Sequence, residues 1–543
     1  MKAYRPTTMA PEVMVTSPHY LASQAGVRVL HEGGNAWEAA IAVASTLAVV
    51  YPHMNGIGGD SFWLMYDAKS KCMRGLNASG RSGEKATIPF YHERNYQDIP
   101  TRGYLAANTV PGAVSGWEQV FYYSQKHLQG TARWSDLFKT AISYAENGFP
   151  VTPSQHYWTT CNVYNESTNL QNYREFKKTF LNDYCQPFQT GEVMTLHDLG
   201  STLEEIAEKG ARTFYEGSIT KAMIEDIEQH DGMLTLDDFA SHQSEWVTPL
   251  SVPYREYTAF NLPPNTQGMT SLSILNILNQ FDFRHVDVDS ADYVHLILEA
   301  TKLAFSDRDQ WLTDPHFVDI PIDELLSGDR AMQVAKQIQM SSALNHEKLL
   351  DPKGDTAWFG VVDRHGHAVS CIQSIYHDFG SGIIPKGTGV LLQNRGSFFS
   401  LNPEHINKLD PHKRTFHTLN PAMMTYSSEP LLVYGTMGGE GQPQTQAALV
   451  TKMIDYGMSP QEAIEAPRWL YGRTWGAQSN TVKVESRLRE NVFNELKRRG
   501  HPIERVEPYT DMMGHAGAIW IDPENGMKYG GADPRGDGMA IGY

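Results

Sequence analysis

The residues of this chain that are best placed for chemistry surround Thr356, a threonine that follows Asp355 and opens an apolar segment. Thr356 to Val362 is predicted to be a strand that turns at residues 363–366 into a second strand, 367–374. A threonine hydroxyl becomes a nucleophile only where a base can take its proton. On the local pattern alone, a structural threonine at the start of a hairpin is therefore the default interpretation.

Other familiar catalytic patterns are incomplete. The chain has no His-Glu-x-x-His segment of a zinc protease and no Gly-x-Ser-x-Gly segment of a serine hydrolase. The glycine-rich run 56–59 precedes a predicted strand, so it lacks the helix N-terminus that holds a phosphate. Gly59-Asp60-Ser61 is typical of another hydrolase class with Ser61 as nucleophile, but residues 511–515 lack the Asp-x-x-His spacing of its base. A tight turn at this point is the favoured interpretation.

The composition indicates a folded chain that acts on small molecules. Its 543 residues carry 45 basic and 62 acidic side chains, a net charge of −17. Nucleic acids and anionic membranes bind clustered cations, so we expect neither as a partner. The longest apolar stretch, 39–51, is too short to span a membrane. The N-terminus lacks the apolar run of a secretory signal, which predicts a cytoplasmic protein.

The cysteines give no sign of a metal site. They have no Cys-x-x-Cys pair and no histidine at zinc-ligand spacing, so we expect reduced, buried thiols. The four are Cys72, Cys161, Cys185 and Cys371. The sequence predicts neither a metal nor a cofactor.

The secondary structure that the sequence predicts around Thr356 changes near residue 355. Before it, apolar spacing predicts helices at 19–34, 37–50 and 292–305 and a strand at 61–66. After it, strands are predicted at 358–362, 368–372, 389–392, 421–426 and 431–435, then helices at 445–456 and 490–499 and strands near 516–521 and 527–529. A β-rich centre with outer helices predicts a layered α/β fold, and no linker separates independent domains.

Segments along the whole chain resemble the γ-glutamyltransferase family, in the family's order. They are His31-Glu32-Gly33-Gly34-Asn35-Ala36, Gly58-Gly59, Val110-Pro111-Gly112, Gly438-Gly439 and Ala532-Asp533-Pro534-Arg535. The resemblance implies a self-cleaving N-terminal-nucleophile hydrolase with a four-layer αββα sandwich. It also implies a cut between Asp355 and Thr356 into a large chain, 1–355, and a small chain, 356–543, which together form one αββα domain. Whether two of these heterodimers pair into a dimer is left open.

By the same resemblance, Thr356 is the nucleophile of both self-cleavage and catalysis. Its hydroxyl attacks the Asp355 carbonyl, an N-to-O shift gives an ester, and water releases a new amino terminus. The freed α-amine, with an ordinary pKa of about 7.7–8.0, then serves as base for its own hydroxyl. Ser374 falls where the family has a second hydroxyl bonded to the nucleophile. Gly438 and Gly439 match the glycines whose N–H groups form an oxyanion hole.

The substrate pocket follows the family at one position and departs from it at others. Arg102 matches the arginine that binds the substrate carboxylate. The family's Asn, Gln, Asp and Ser-Ser positions carry other residues here, namely Tyr376, Arg395, Phe398, His417 and Thr418. Without the family's aspartate, a buried substrate ammonium would lack an acceptor. We therefore expect a hydrolase of small carboxylate-bearing amides, oxamate-like or glutaryl-like, that lack a free α-amine.

Three alternatives stay open at this point. A standard γ-glutamyltransferase that degrades glutathione would bind the α-amine in some other way. An unprocessed, non-catalytic relative that binds a carboxylated ligand is suggested by Ala357-Trp358, where many relatives have a hydroxyl residue and a histidine. The Ser61 hydrolase would remain an intact chain. Residues 400–413 form a shorter segment than the family's lid region, which predicts hydrolysis in preference to transfer.

Overall fold

Two seven-stranded sheets form the centre of the computed structural model, which describes residues 5–165, 168–344, 355–472 and 481–543. The strands are β1 Thr8–Ala10, β2 Met14–Ser17, β3 Asp60–Asp67, β4 Cys72–Ala78, β5 Phe149–Pro150, β6 Val193–Met194, β7 Glu245–Val247, β8 Leu250–Tyr254, β9 Tyr257–Asn261, β10 Asp355–Val362, β11 Ala368–Tyr376, β12 Ala422–Tyr426, β13 Glu429–Thr436, β14 Trp469–Tyr471, β15 Val482–Glu485, β16 Ile503–Val506, β17 Ala516–Ile521, β18 Lys528–Ala532 and β19 Met539–Gly542. The first sheet has the order β1-β18-β17-β13-β12-β9-β8, and the second has the order β19-β2-β10-β11-β3-β4-β7.

Helices cover the outer faces of both sheets. They are α1 Tyr20–His31, α2 Ala36–Val50, α3 Ile88–His92, α4 Ala113–Tyr123, α5 Lys139–Asn147, α6 Pro153–Tyr164, α7 Arg174–Phe180, α8 His197–Lys209, α9 Thr213–Glu216, α10 Ser218–Gln229, α11 Leu236–Ala240, α12 Gly268–Leu278, α13 Ala291–Trp311, α14 Ile322–Leu325, α15 Gly328–Ala335, α16 Gln442–Ile454, α17 Pro460–Glu465 and α18 Glu490–Arg498. Helices α1 and α2 pack on the second sheet, whereas α12 and α16 pack on the first. The predicted αββα sandwich is confirmed.

The sheets meet around Trp358, which fills the layer between them. Its indole nitrogen donates to Ser370 Oγ at 3.0 Å, and its ring covers Gly435 and Gly517 on the opposite sheet. A Cβ added to Gly435 would lie 2.2 Å from Trp358 Cδ1, so only glycine fits there. Side chains alternate along a strand, and Thr356 therefore shares the inward face of Trp358.

Helix α2 shows why the predicted helices hold. All of its residues are buried, and Asn35 caps its first turn in a reciprocal capping box with Glu38. Helix α13 begins after Ser290, whose hydroxyl accepts the Tyr293 N–H, and it extends six residues past the predicted end. Among the described residues, none of the helices combines the length and hydropathy needed to cross a membrane.

Two expectations about local structure were wrong. Residues 389–392 form no strand, because Gly389 has a φ of +64° and Leu392 makes only an isolated bridge with Gly58. Their apolar side chains are buried in a loop instead. The expectation of buried thiols holds for Cys371 but fails for Cys72 and Cys185, which are exposed.

Candidate active site

Thr356 lies at an irregular point in the pairing of β10 with β11. Asp355 pairs with Tyr376 and Ala357 with Gln373, so one residue of β10 stands opposite two of β11. The Thr356 hydroxyl donates to Ser374 Oγ at 3.3 Å. Gly354 and the side chain of Asp355 lie outside the described residues.

Ser374 holds the nucleophile candidate from one side. Its Oγ accepts the Thr356 hydroxyl and also the N–H of Tyr376, at 2.8 Å. Tyr376 takes a positive φ of 81°, which turns the chain sharply at the end of β11. Thr356 and Ser374 are both buried, so the hydroxyl pair is shielded from bulk water. The structure thus brings together two of the predicted catalytic residues.

Gly438 and Gly439 form the turn between β13 and α16. Their φ angles, +121° and +51°, are ones that glycine adopts most readily. The turn continues into a short 3₁₀ helix, Gly439–Gly441, and then into α16. Gln267 donates to the carbonyls of both Gly439 and Thr418, at 2.9 and 2.7 Å. This amide therefore ties the glycine turn to the segment that carries two predicted substrate-binding residues.

Arg395 is a buried cation with spare hydrogen-bonding capacity. Its guanidinium stacks on the Tyr376 ring at 3.8 Å, and Nη1 donates to Thr418 Oγ1 at 3.3 Å. Among the described residues, Nε and Nη2 have no hydrogen-bond partner. Burial lowers the pKa of Arg395 to about 10, with Tyr376 and Asp60 opposing the shift, so the group stays charged at neutral pH. Two unsatisfied nitrogens on one guanidinium form a site for a carboxylate.

Phe398, another residue predicted for the pocket, packs beside Tyr376. Phe398 contacts the Tyr376 ring edge-on, with ring centroids 5.9 Å apart. Both rings line a cavity of about 320 Å³, whose other lining residues are Asp98, Ile99, Thr101, His377, Ser397, Phe399, Ser400 and His405. One of its lining residues, Tyr376, is the register partner of Asp355 at the start of β10.

Sequence reasoning missed Asp60 as a site residue, because it treated this carboxylate as part of a turn. Its Oδ1 accepts the N–H groups of Gly80 and Gly112 and the Gln393 amide, at 3.0, 3.1 and 3.0 Å. Its Oδ2 lies 3.2 Å from His417 Nε2. Asp60 is also the register partner of Ser374 on the neighbouring strand. That pairing, visible only in a folded sheet, is the signal that the sequence lacked.

His417 is a neutral link between Asp60 and the Arg395 site. Burial, and secondarily Arg395, lowers the His417 pKa well below its usual value. Its Nδ1 accepts the Leu419 N–H at 3.4 Å, which leaves the proton on Nε2, facing Asp60. His417 and Thr418 are thus both part of the cluster that the sequence predicted.

Arg102, predicted to bind the substrate carboxylate, hydrogen-bonds to other residues of the protein. Its Nη1 donates to the carbonyls of Asp378, at 2.7 Å, and of Gly380. Its Nη2 donates to Asn162 Oδ1 at 2.9 Å and lies 3.4 Å from the Asp378 carboxylate. Thr101, its neighbour, lines the cavity. A direct role for Arg102 in binding substrate stays a prediction.

The Ser61 alternative needs His515 as its base, and in the described part of the chain the two side chains take part in different hydrogen bonds. The Ser61 hydroxyl accepts the indole N–H of Trp63, at 2.9 Å. His515, the histidine considered as its base, lies against Tyr51 at 3.1 Å and Asp511 at 3.4 Å. The two side chains belong to different networks, so they do not form a catalytic pair.

One cluster has the donor set of a metal site. His295, Glu299 and His501 place three ligand atoms within 4.8 Å of one another. However, the Lys302 ammonium donates to one Glu299 oxygen and the Leu344 N–H to the other, both at 2.7 Å. The two imidazoles also hydrogen-bond each other at 2.8 Å. These contacts fit an internal hydrogen-bonded cluster better than a cation site.

The chain is similar to known proteins in both sequence and structure. A family model described as gamma-glutamyltranspeptidase matches residues 22–543. The chain is 45% identical to the glutathione hydrolase-like YwrD proenzyme of Bacillus subtilis over 97% of this chain and 98% of the relative. It is 42% identical to the oxamate amidohydrolase proenzyme of Klebsiella pneumoniae over 98% of each chain. The crystal structure of a cephalosporin acylase from Bacillus halodurans superposes with a TM-score of 0.91 at 36% identity, covering 100% of this chain and 98% of that one.

Proposed function

We propose a nucleophile and a substrate class for this chain, which belongs to the gamma-glutamyltranspeptidase family and is a self-processing amide hydrolase of that family. The proposed nucleophile is Thr356, freed by a cut after Asp355 that leaves chains 1–355 and 356–543. The proposed substrate is a small amide whose acyl group carries a carboxylate. The observation that carries the substrate proposal is the buried Arg395 guanidinium, two of whose nitrogens have no partner among the described residues.

The proposed reaction uses Thr356 twice. In maturation, Oγ1 attacks the Asp355 carbonyl, the peptide C–N bond breaks as the ester forms, and water hydrolyses the ester. In turnover, the freed α-amine takes the Oγ1 proton while Oγ1 attacks the substrate carbonyl. N–H groups of the Gly438-Gly439 turn stabilise the oxyanion, and the proton leaves with the departing amine. Water then releases the acid from the acyl-enzyme.

The substrate class follows from the charges around Arg395. Tyr376 supports one face of the guanidinium, and Thr418 fixes one of its edges. The nearby carboxylate, Asp60, already has four donors from the chain and offers little to a substrate ammonium. An acyl group with a carboxylate and no α-amine therefore suits the site. Oxamate, named in one relative, belongs to this class.

The nucleophile is tested by denaturing gel electrophoresis of the purified protein. From the residue shares of the 60.9 kDa chain, we expect bands of about 40 and 21 kDa, with threonine first in the smaller. Thr356→Ala should remain a single band, whereas Thr356→Ser, which keeps a hydroxyl, should still be cut. Ser61→Ala should process normally. An intact wild-type band that still hydrolyses amides would contradict the Thr356 mechanism, and an intact inactive chain would favour the non-catalytic alternative.

The substrate class is tested by a panel on processed enzyme. Oxamate and glutaryl amides should be hydrolysed, and γ-glutamyl-p-nitroanilide should be a poor substrate. Arg395→Met should raise KM for the carboxylate-bearing amides and leave a matched neutral amide unaffected. Fast turnover of the γ-glutamyl anilide alone would instead support a standard glutathione hydrolase.

The remaining expectations concern partners and location. The proenzyme relatives imply a processed two-chain form that acts on small substrates. Pairing of two heterodimers, the lack of a nucleic-acid partner and a cytoplasmic location stay predictions, and sizing chromatography and cell fractionation would test the first and last of these.

A further inference from the structure

Asp60 sits where three parts of the site meet. It begins β3, pairs in register with Ser374, and accepts backbone N–H groups from the loops at Gly80 and Gly112. Gln393, two residues before Arg395, donates to the same oxygen. Among the described residues, the other oxygen accepts only from His417 Nε2. The carboxylate therefore orders both the backbone around the nucleophile and the segment that carries Arg395.

Arg395 has no carboxylate within ion-pair distance among the described residues. A buried cation without a counter-charge is strongly disfavoured. The side chains near the Arg395 guanidinium are the neutral Tyr376, Thr418 and His417. The anion that attracts it electrostatically is Asp60, which is hydrogen-bonded to His417. In the empty site, Asp60 therefore supplies the negative charge that offsets Arg395 across one imidazole.

We propose that Asp60 is a specificity-determining residue, whose charge offsets Arg395 in the empty site and is neutralised by one proton from solvent when a substrate carboxylate binds there. The proposal rests on the proposed carboxylate site at Arg395. A bound carboxylate and ionised Asp60 would place two anions around one buried cation. Like charges in a buried site disfavour double ionisation, so binding of an anionic acyl group draws a proton onto Asp60.

The groups around Asp60 are consistent with such a change. Burial raises its pKa to about 7, and the Gly80 and Gly112 amides, Gln393 and Arg395 oppose that rise. The proton cannot come from His417, whose own pKa is well below the usual value. Tyr215, whose pKa is raised mainly by burial, stays neutral as well. The affinity for an anionic substrate should therefore be highest below pH 7 and should weaken as Asp60 ionises above it.

The test compares Asp60→Asn with wild type across pH 5.5–9, measuring KM and kcat for oxamate and for its neutral ester, ethyl oxamate, by ammonia release. In wild type, KM for oxamate should rise above about pH 7, toward tenfold per pH unit, and KM for the ester should not. In Asp60→Asn, which still accepts from the backbone donors, the rise should vanish. The matched control is Asp455→Asn, because Asp455 pairs with Arg255 away from this cluster.

The outcomes separate this inference from the function on which it rests. If Arg395→Met affects oxamate and its ester equally, the carboxylate site itself is refuted. If Arg395→Met discriminates between them but Asp60→Asn keeps the wild-type slope, the role of Asp60 is overturned. Titration of the Thr356 amine would persist in both enzymes, so only the difference between them counts. Should Asp60→Asn fail to fold, Asp60→Ser serves as the second neutral variant, with the same expected and refuting results.

Discussion

Replacing Ser374 with alanine removes the hydroxyl that holds Thr356 and leaves the fold around it largely intact. Ser374 lies inside β11, paired with β3, so alanine is tolerated by the strand. The change deletes the acceptor of the 3.3 Å bond from Thr356 and of the 2.8 Å bond from the Tyr376 N–H. The first loss acts on the nucleophile, and the second acts on the turn that follows it.

The magnitude depends on the charge of the Thr356 oxygen during the reaction. A bond between neutral groups contributes about 0.5–1.5 kcal/mol, which would slow the reaction only about 2- to 13-fold. As Thr356 attacks, its oxygen loses the proton that it donates and gains negative charge. The Ser374 hydroxyl then turns to donate to that oxygen, so the charge-assisted value of about 1.5–3 kcal/mol applies. We therefore expect processing of Ser374→Ala to be about 13- to 160-fold slower than in wild type.

The assay follows the appearance of the 21 kDa fragment in purified precursor over time on denaturing gels. Ser374→Thr, which keeps a hydroxyl, should process within a few-fold of wild type. Near-ultraviolet circular dichroism of each precursor would confirm that the variants are folded. Wild-type processing by a folded Ser374→Ala precursor would refute the role assigned to this hydroxyl pair.

Three further predictions concern stability. Gly435→Ala should destabilise the protein by about 1–3 kcal/mol or more, because the new Cβ would overlap the Trp358 ring, whereas Gly328→Ala has open space and should be neutral in thermal unfolding. Above about pH 8, where Glu440 is ionised, Arg308→Met should cost about 3–5 kcal/mol in chemical denaturation, since it leaves the Glu440 carboxylate, 3.1 Å from Arg308, buried and unpaired. Burial raises the Glu440 pKa from 4.5 to about 8, so the folded state holds the proton more tightly and stability should fall as the pH rises between these values. Glu440→Gln should flatten that fall, and an unchanged pH profile would contradict it.

The sequence predicted the parts of the site that lie close together along the chain or in the family's order. Thr356 and Ser374 occupy neighbouring strands of one hairpin, so their contact follows from a local turn. The burial of α2 follows from its almost continuous apolar run. The cluster of Tyr376, Arg395 and Thr418 was predicted from matching positions, and the structure joins these side chains.

Most of the features that the sequence did not predict depend on contacts between residues that are far apart in the chain. The partners of Asp60 are separated from it by 20, 52, 333 and 357 residues, and no local pattern connects them. Residues 389–392 look like a strand because they are apolar, but their backbone packs against Leu199 and Gly58 in a loop. Trp358 packs against Gly435 and Gly517 of the facing sheet, residues that lie 77 and 159 positions further along the chain.

The order of strands in the two sheets determines whether the chain can be cut before it folds. Strands from both sides of the proposed cut alternate, so pieces 1–355 and 356–543 meet along five strand pairs in the described sheets: β1 with β18, β9 with β12, β2 with β19, β2 with β10, and β3 with β11. Neither piece can complete a sheet by itself. Folding must therefore precede cutting, and a mature enzyme that unfolds must reassemble from two separate molecules, at a rate that depends on their concentration. Maturation is in this sense a one-way step, after which heat inactivation should be irreversible in dilute solution while the uncut Thr356→Ala precursor can still refold.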